Sequence, residues 1–459
     1  MAWSASGAAI PANWQASQPA ITHDKWLRTA VMDFCYGITT GSPLRSRIFP
    51  RGHVPPRLIQ IFGLMALLGL AAAPTSAQPP DQAAAEPHRH AGTPAARTWS
   101  WTSDANAFFG YNYQQRKYAD FSAWESQNWF MLGGNRAVGG GRLAVEGMLS
   151  LEPFTMKGQG SPQLFQTGES YQRTPNVNYQ HPHDLLMALG ATYRVERPRV
   201  RYVFGADLVG SPTLGPTPFM HRESARSNPA VPIGHHSLDS THATTGVLRF
   251  GVETGPMSFE TSVFRGAEPD ENRLNVEQPA LDSWAVRVGW HRGPWQAQVS
   301  GGRLHEPEWF EPYNVTRLTA SIGFNGAIAS RALAATVAWG QNHEFNGYSN
   351  TDDSYLLEWD FRATGTTSVY GRAEKSAKQI FGLGFHPKGY THPHFYSHVN
   401  ALTLGAVRDL PIAGKGRVGV GGDVTWYPMM RDVLDLYEGS HSFHVFLRWR
   451  PARAAVHVH

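Results

Sequence analysis

The sequence predicts an all-β protein, a transmembrane antiparallel up-and-down β-barrel of about 16 strands with long extracellular loops. Three observations lead there. Stretches with strict period-two alternation recur from Ala107 to Trp449, the connections between them alternate short and long, and the positions opposite each apolar face carry charge. Alternation places successive side chains on opposite faces of a strand. An even set of strands, each about ten residues long, with turns at one end and loops at the other, describes an outer-membrane barrel.

In the 459-residue chain a targeting segment comes first. Arg45, Arg47, Arg51 and Arg57 lead into an apolar run over 58–73, which Thr75-Ser-Ala77 follows. That is the charged, apolar and small-residue order of a secretory signal. The run is shorter than the ~20 residues a spanning helix needs. Residues 1–77 therefore read as a presegment cleaved near Ala77, with translation starting nearer Met32. Residues 78–98 are Pro/Ala-rich and read as a flexible leader; 99–450 form the barrel and 451–459 a tail.

The presegment also accounts for the basic balance. Of 40 Lys and Arg and 36 Asp and Glu, six and two respectively precede Gln78, so the remainder is neutral overall. This excludes a nucleic-acid partner argued from charge. The single Cys35 lies in the presegment as well, which removes disulfides and thiolate metal sites from the exported chain.

The strands follow in order. Apolar faces fall at Ala107, Phe109, Tyr111 and Tyr113; Trp129 and Met131; Leu143, Val145, Leu149 and Leu151; Leu185, Met187, Leu189, Ala191, Tyr193 and Val195; and Val200 to Leu208. They continue through Leu248 to Val252, Met257 to Val263, Trp284 to Trp290, Trp295 to Val299, Leu318 to Phe324, Leu333 to Trp339 and Tyr355 to Phe361. Val369, Leu402 with Leu404, Val418 to Trp426 and Phe443 to Trp449 complete the series. Long loops are expected at 152–184, 209–244, 265–283, 340–354, 374–397 and 427–441.

Charges that lipid would not tolerate sit on the other parity: Arg142, Glu146, Arg201, Asp207, Glu260, Arg287, Glu358, Asp360, Arg372, Glu374 and Arg448. They are expected to line a polar lumen. A soluble β-sandwich also alternates, but it gives no reason for short and long connections in strict succession or for Trp and Tyr at strand ends.

Of the histidines, 19 follow the presegment, and most fall in the long loops. Three groups stand out: His181-Pro-His183-Asp184, His235-His236 with Asp239 and His242, and His392-Pro-His394 with His398. His221 follows Met220 in the same loop as the second group. Imidazole supported by carboxylate suits Zn or Cu. The candidate metal residues are therefore His181, His183, Asp184, His221, His235, His236, Asp239 and His242, placed at the extracellular mouth. The bland alternative is a packed, hydrogen-bonded loop. Adjacent Ser-His pairs such as His236-Ser237, Ser397-His398 and His441-Ser442 admit a lipid hydrolase. No His-Glu-x-x-His or Gly-x-Ser-x-Gly accompanies them, and the chain is expected not to be an enzyme.

The motifs Leu149-Ser-Leu-Glu-Pro-Phe-Thr-Met156, Leu164-Phe-Gln-Thr-Gly-Glu-Ser-Tyr171, Gln180-His-Pro-His-Asp-Leu-Leu-Met187, Phe219-Met-His-Arg-Glu-Ser-Ala225, Gly234-His-His236, Asp239-Ser-Thr-His242 and Glu268-Pro-Asp-Glu271 resemble an uncharacterised family of porin-like bacterial outer-membrane β-barrels. The resemblance covers most of the chain after residue 98 and implies fold and location. The expected function is a channel for small solutes, linked to transition-metal handling through the loop histidines. The alternative is a non-conducting metal-binding or structural surface barrel. Expected partners are outer-membrane lipid, small solutes or metal ions and, by fold analogy, further copies of the chain in a homo-oligomer.

Overall fold

The computed structural model describes residues 98–308, 313–345, 349–379, 396–412, 416–428 and 437–451. The presegment, nearly all of the leader, the tail from 452 and the loop residues His386, His392 and His394 lie outside the described residues.

The strands are β1 (Ser100–Arg116), β2 (Ala119–Glu125, resumed at Asn128–Val138), β3 (Gly141–Leu149), β4 (Leu186–Glu196), β5 (Arg201–Gly210), β6 (Thr244–Thr254), β7 (Met257–Phe264) and β8 (Ser283–Arg292). They continue with β9 (Trp295–Leu304), β10 (Val315–Ile328), β11 (Arg331–Phe345), β12 (Ser349–Arg362), β13 (Thr367–Gln379), β14 (Tyr396–Ile412), β15 (Gly416–Trp426) and β16 (His441–Arg450). The two parts of β2 keep one register against β1, Gly110 facing Glu125 and Ala107 facing Asn128. Each strand pairs antiparallel with the next, and β16 pairs back onto β1, with Ala107 opposite Trp449. The result is a closed sheet of 16 strands without an edge.

Short turns collect at one end. Gly139 and Gly140 both take positive φ, as a two-residue hairpin between β2 and β3 demands. At the other end lie the connections 150–185, 211–243, 265–282 and 305–314. The expected loop at 340–354 is mostly strand: β11 runs on to Phe345 and β12 begins at Ser349, so their polar outer ends continue the ladder.

Outside, the barrel wears an apolar band. Phe109, Leu248, Phe259, Val286, Val299, Leu357, Leu404 and Leu447 all project outward and are exposed. Trp124, Trp284 and Trp426 rim the loop end, and Trp101 and Trp449 the turn end, the two interfacial girdles of a membrane barrel. Among the described residues no helix is long and apolar enough to cross a membrane. The strands do the crossing, since a closed barrel satisfies every backbone hydrogen bond in lipid. The chain is an outer-membrane β-barrel.

Three expected lipid-facing residues point the other way. Trp129, Met131 and Met187 are 9%, 4% and 2% exposed and pack inside against Phe219, Met220, Ala225 and Val231 of the 211–243 loop. On β2 the lipid side belongs to Phe130 and Leu132, because Trp129-Phe130-Met131-Leu132 is apolar on both faces. At Met187 the cause is a β-bulge, where Met148 pairs with Ala188 but Leu149 with Leu186, and the bulged side chain turns inward.

Candidate functional site

The 211–243 loop does not cap the barrel; it descends into it. Thr213 Nα donates to Ser262 Oγ and Gly215 Nα to Ser300 Oγ near the outer ends of β7 and β9. Deeper, Arg222 Nε donates to Glu358 Oε1 at 2.6 Å, and its Nη1 donates to Asp239 of the same loop. Ser227 Oγ donates to Asp360 and accepts from Arg448 Nη1 at 2.7 Å, only two residues from the end of β16. Arg372 Nη1 holds the Ala230 carbonyl at 2.8 Å, and Glu374 accepts from the backbone of Ile233. The chain then climbs back to helix α1 (His235–Leu238), level with the outer ends of β11 and β12, where Ser237 meets Ser354.

This loop divides the inner wall. On β10 to β16 the charged side chains Arg317, Glu358, Arg372, Asp409 and Arg448 are between 1% and 3% exposed, sealed beneath it. On β3 to β8 the charges stay in reach of solvent: Glu146, Arg194, Arg201, Arg249, Glu253, Glu260 and Arg287 are half-buried and Arg142 is exposed. Expected lumen residues fall on both sides, with Glu358, Asp360, Arg372 and Glu374 against the loop. Arg142, Glu146, Arg201, Glu260 and Arg287 face the open side. Asp207 is buried there against Arg249 at 2.9 Å, and Glu260 pairs with Arg287 at 2.8 Å.

The histidines converge just inside the mouth. Ring centroids run from His181 to His183 (6.4 Å), His183 to His242 (5.3 Å), His242 to His235 (5.2 Å) and His235 to His236 (5.6 Å). His221 sits apart on Trp129 at 5.0 Å. Most Nδ1 atoms are taken: His183 meets Glu152 at 2.8 Å, His235 meets Asp239 at 2.7 Å and His242 meets the Asp239 carbonyl at 2.9 Å. Asp184 faces Arg273 at 3.3 Å. Among the described residues, the group whose donor atoms lie mutually within 4.8 Å is His236, Glu268 and Glu308.

The electrostatics follow from burial set against these partners. Burial, with His235 and His183 beside it, pushes His242 down to about 3, so it is neutral at pH 7. Burial together with Arg273 and His183 lowers His181 as well. Burial also opposes charge on Asp239, but Arg222 and His235 outweigh it and hold the carboxyl below its usual range. For Asp184 burial wins over Arg273 and raises the carboxyl to about 6. At His236 burial is outweighed by Glu308 and Glu268, and the imidazole is held well above its ordinary value.

Glu152 and His183 form an ion pair that makes the site pH-dependent. Burial disfavours charge on both, yet mutual attraction lowers Glu152 and raises His183. A depressed carboxyl stabilises above its unfolded value and loses this as pH falls; a raised imidazole stabilises below its unfolded value of about 6.5 and loses this as pH rises. Thermal unfolding followed by circular dichroism should therefore show the melting point falling as pH climbs from 6.5 to 9. In Glu152→Gln that slope should flatten; an equal slope in both proteins would remove the pair from the account.

Among the described residues, His236-Ser237 and His441-Ser442 do not pair as nucleophile and base; the Ser397 side chain lies outside the described residues. Ser237 Oγ donates to Gly234 and shares a hydrogen bond with Ser354, while His236 turns to Glu308, and Ser442 bonds Tyr427. Several site residues were not chosen from sequence. Glu152, Arg222 and Glu268 stand within the motifs quoted above, so polar residues inside those motifs were the available signal. Glu308 and Arg273 carried none.

The fold and its charged, partly filled interior define a membrane-spanning barrel with an inward-folded loop. No protein-family model matches the chain, and no curated protein does. Among solved structures it is similar to an anion-selective porin from Comamonas acidovorans, at 10% identity over 77% of this chain and 100% of that one, TM-score 0.46. It is also similar to OmpF of Salmonella typhi in complex with daunomycin, at 8% identity over 76% and 97%, TM-score 0.45. OmpT, an outer-membrane protein of Vibrio cholerae, aligns at 9% identity over 78% and 100%, TM-score 0.42.

Proposed function

We propose that this barrel is a channel for small solutes, with its path running between the descending loop and the inner wall of β3 to β8. The observation that carries the reading is the division of the inner wall. Glu358, Arg372, Asp409 and Arg448 under the loop are 1–3% exposed and ion-paired, whereas the charges opposite, Asp207 apart, are half-buried or exposed along the barrel. A barrel of sixteen strands has room for an aqueous path beside one loop. Its selectivity would come from the mixed charges on that wall. The depth to which the loop packs favours the competing reading, a non-conducting barrel.

Planar-bilayer recording of the purified protein decides between them. Discrete conductance steps are expected, and their absence would leave the non-conducting reading. Arg142 and Arg194 are direct partners on β3 and β4, two like charges side by side at the turn end of the open wall. Arg142→Glu with Arg194→Glu should shift the reversal potential in a salt gradient towards cations. A conducting variant with an unmoved reversal potential would show that the path lies elsewhere.

A further inference from the structure

We propose that His236, Glu268 and Glu308 form a binding site for a divalent transition-metal ion, with Zn²⁺ as the fitting probe, that fastens three outer loops together at the barrel mouth. The inference does not depend on whether the barrel conducts. Each ligand comes from a different connection: His236 from α1 in 211–243, Glu268 from 265–282 and Glu308 from 305–314.

His236 Nδ1 lies 2.9 Å from Glu308 Oε1 and 3.6 Å from Glu268 Oε1. Donors around a tetrahedral Zn²⁺ with bonds of 2.0–2.2 Å stand roughly 3.3–3.6 Å apart, so the Glu268 separation already fits and Glu308 would move out by about half an ångström on binding. One imidazole and two carboxylates with no thiolate suit a borderline cation and leave a coordination position for water.

The surroundings hold the donors in place. The Glu268 backbone N–H donates to the Pro307 carbonyl at 3.0 Å, tying together the two loops that bring the carboxylates. The His236 carbonyl accepts from Asn342 Nδ2 at 3.1 Å, which fixes α1 on the inner wall. Arg317 of β10, which feels the charge of both carboxylates, hydrogen-bonds Asn342 and Ser240 at 2.8 and 3.0 Å. A fourth loop passes over the site at Gly168, whose φ is +106°. A Cβ there would stand 3.0 Å from Glu308 Oε2 and 3.2 Å from His236 Nδ1. Gly168 thus leaves space where any other residue would crowd the donors. The two carboxylate side chains are 12% and 14% exposed.

The sequence-based metal set shares only His236 with this site. His183, His235 and His242 lie outside that group of donors: their Nδ1 atoms meet Glu152, Asp239 and the Asp239 carbonyl, and their rings pack on one another, His235 within α1 itself.

The test is calorimetric titration of the folded, chelator-stripped barrel in detergent with ZnCl₂. One Zn²⁺ per chain is expected. Glu268→Gln with Glu308→Gln should weaken it by at least about tenfold, the range seen when metal surroundings are altered. His343→Ala with His398→Ala, which removes two exposed imidazoles, should leave the affinity unchanged. Heat-modifiable gel mobility confirms that each variant is folded; if the double Gln variant is not, Glu268→Gln alone replaces it and should also bind more weakly. Wild-type protein without a Zn²⁺ isotherm, a folded Gln variant that binds as wild type does, or loss of binding in the surface-histidine variant would each overturn the site.

Discussion

Arg222→Ala is expected to release the 211–243 loop from the barrel interior. Arg222 is almost completely buried and is the cation facing both Asp239 and Glu358, themselves 1% exposed at the side chain. Burial disfavours its charge, but the two carboxylates outweigh that and raise the guanidinium further above its ordinary value. Removing one partner of a buried ion pair leaves uncompensated charge and costs about 3–5 kcal/mol. Of the remaining anchors, Arg372 still faces Glu358 at 3.3 Å while it holds the Ala230 carbonyl, but Asp239 loses its guanidinium partner. In single-channel recordings the variant should show larger and noisier conductance, and the loop should become a site of proteolytic cleavage in the folded barrel. Wild-type conductance together with a protease-resistant loop would mean that Arg222 is not the anchor.

The second large effect concerns the lipid face. Leu447 points outward at 48% exposure, between Phe109 on β1 and Val420 on β15, with Phe443 towards the loop end and Trp449 towards the turn end. It therefore lies in the apolar band, one outward-facing position inside the turn-end girdle. Leu447→Arg should destabilise the barrel by about 2–4 kcal/mol in lipid, whereas Trp449→Arg at the interface should cost about 1 or less. Reversible denaturation in vesicles measures both. If the two substitutions cost the same, the outward face of β16 does not cross the bilayer as the register implies.

Much of the barrel is legible in the sequence, and the reasons are local. A strand with lipid on one side and water on the other must alternate, so Phe109, Tyr111 and Tyr113, or Phe443 to Trp449, declare their facing without any tertiary information. That rule fails where the loop replaces water inside. Trp129 and Met131 are apolar because Phe219, Met220 and Val231 cover them, and nothing in β2 alone distinguishes a protein-facing from a lipid-facing Trp. Met187 fails for another reason, since a bulge reverses facing without changing the apolar pattern.

The candidate site is less legible. Loop composition marks the histidines, but their convergence depends on the path of a connection of more than thirty residues. His236 meets Glu308 across 72 positions of sequence, and no local spacing encodes that meeting.

The pairing of β1 with β16 bears on how the molecule is made. Ala107 and Trp449 lie at opposite ends of the barrel sequence, and until the last strand arrives the growing sheet has two unpaired edges. Such edges template association between chains, and so distant a pairing is slow to form. The anchors of the descending loop on β12, β13 and β16 are likewise translated after the loop itself. Closure and loop docking therefore wait for the C-terminal strand. A chain ending before His441 would be an open sheet with an unanchored interior, not a smaller barrel.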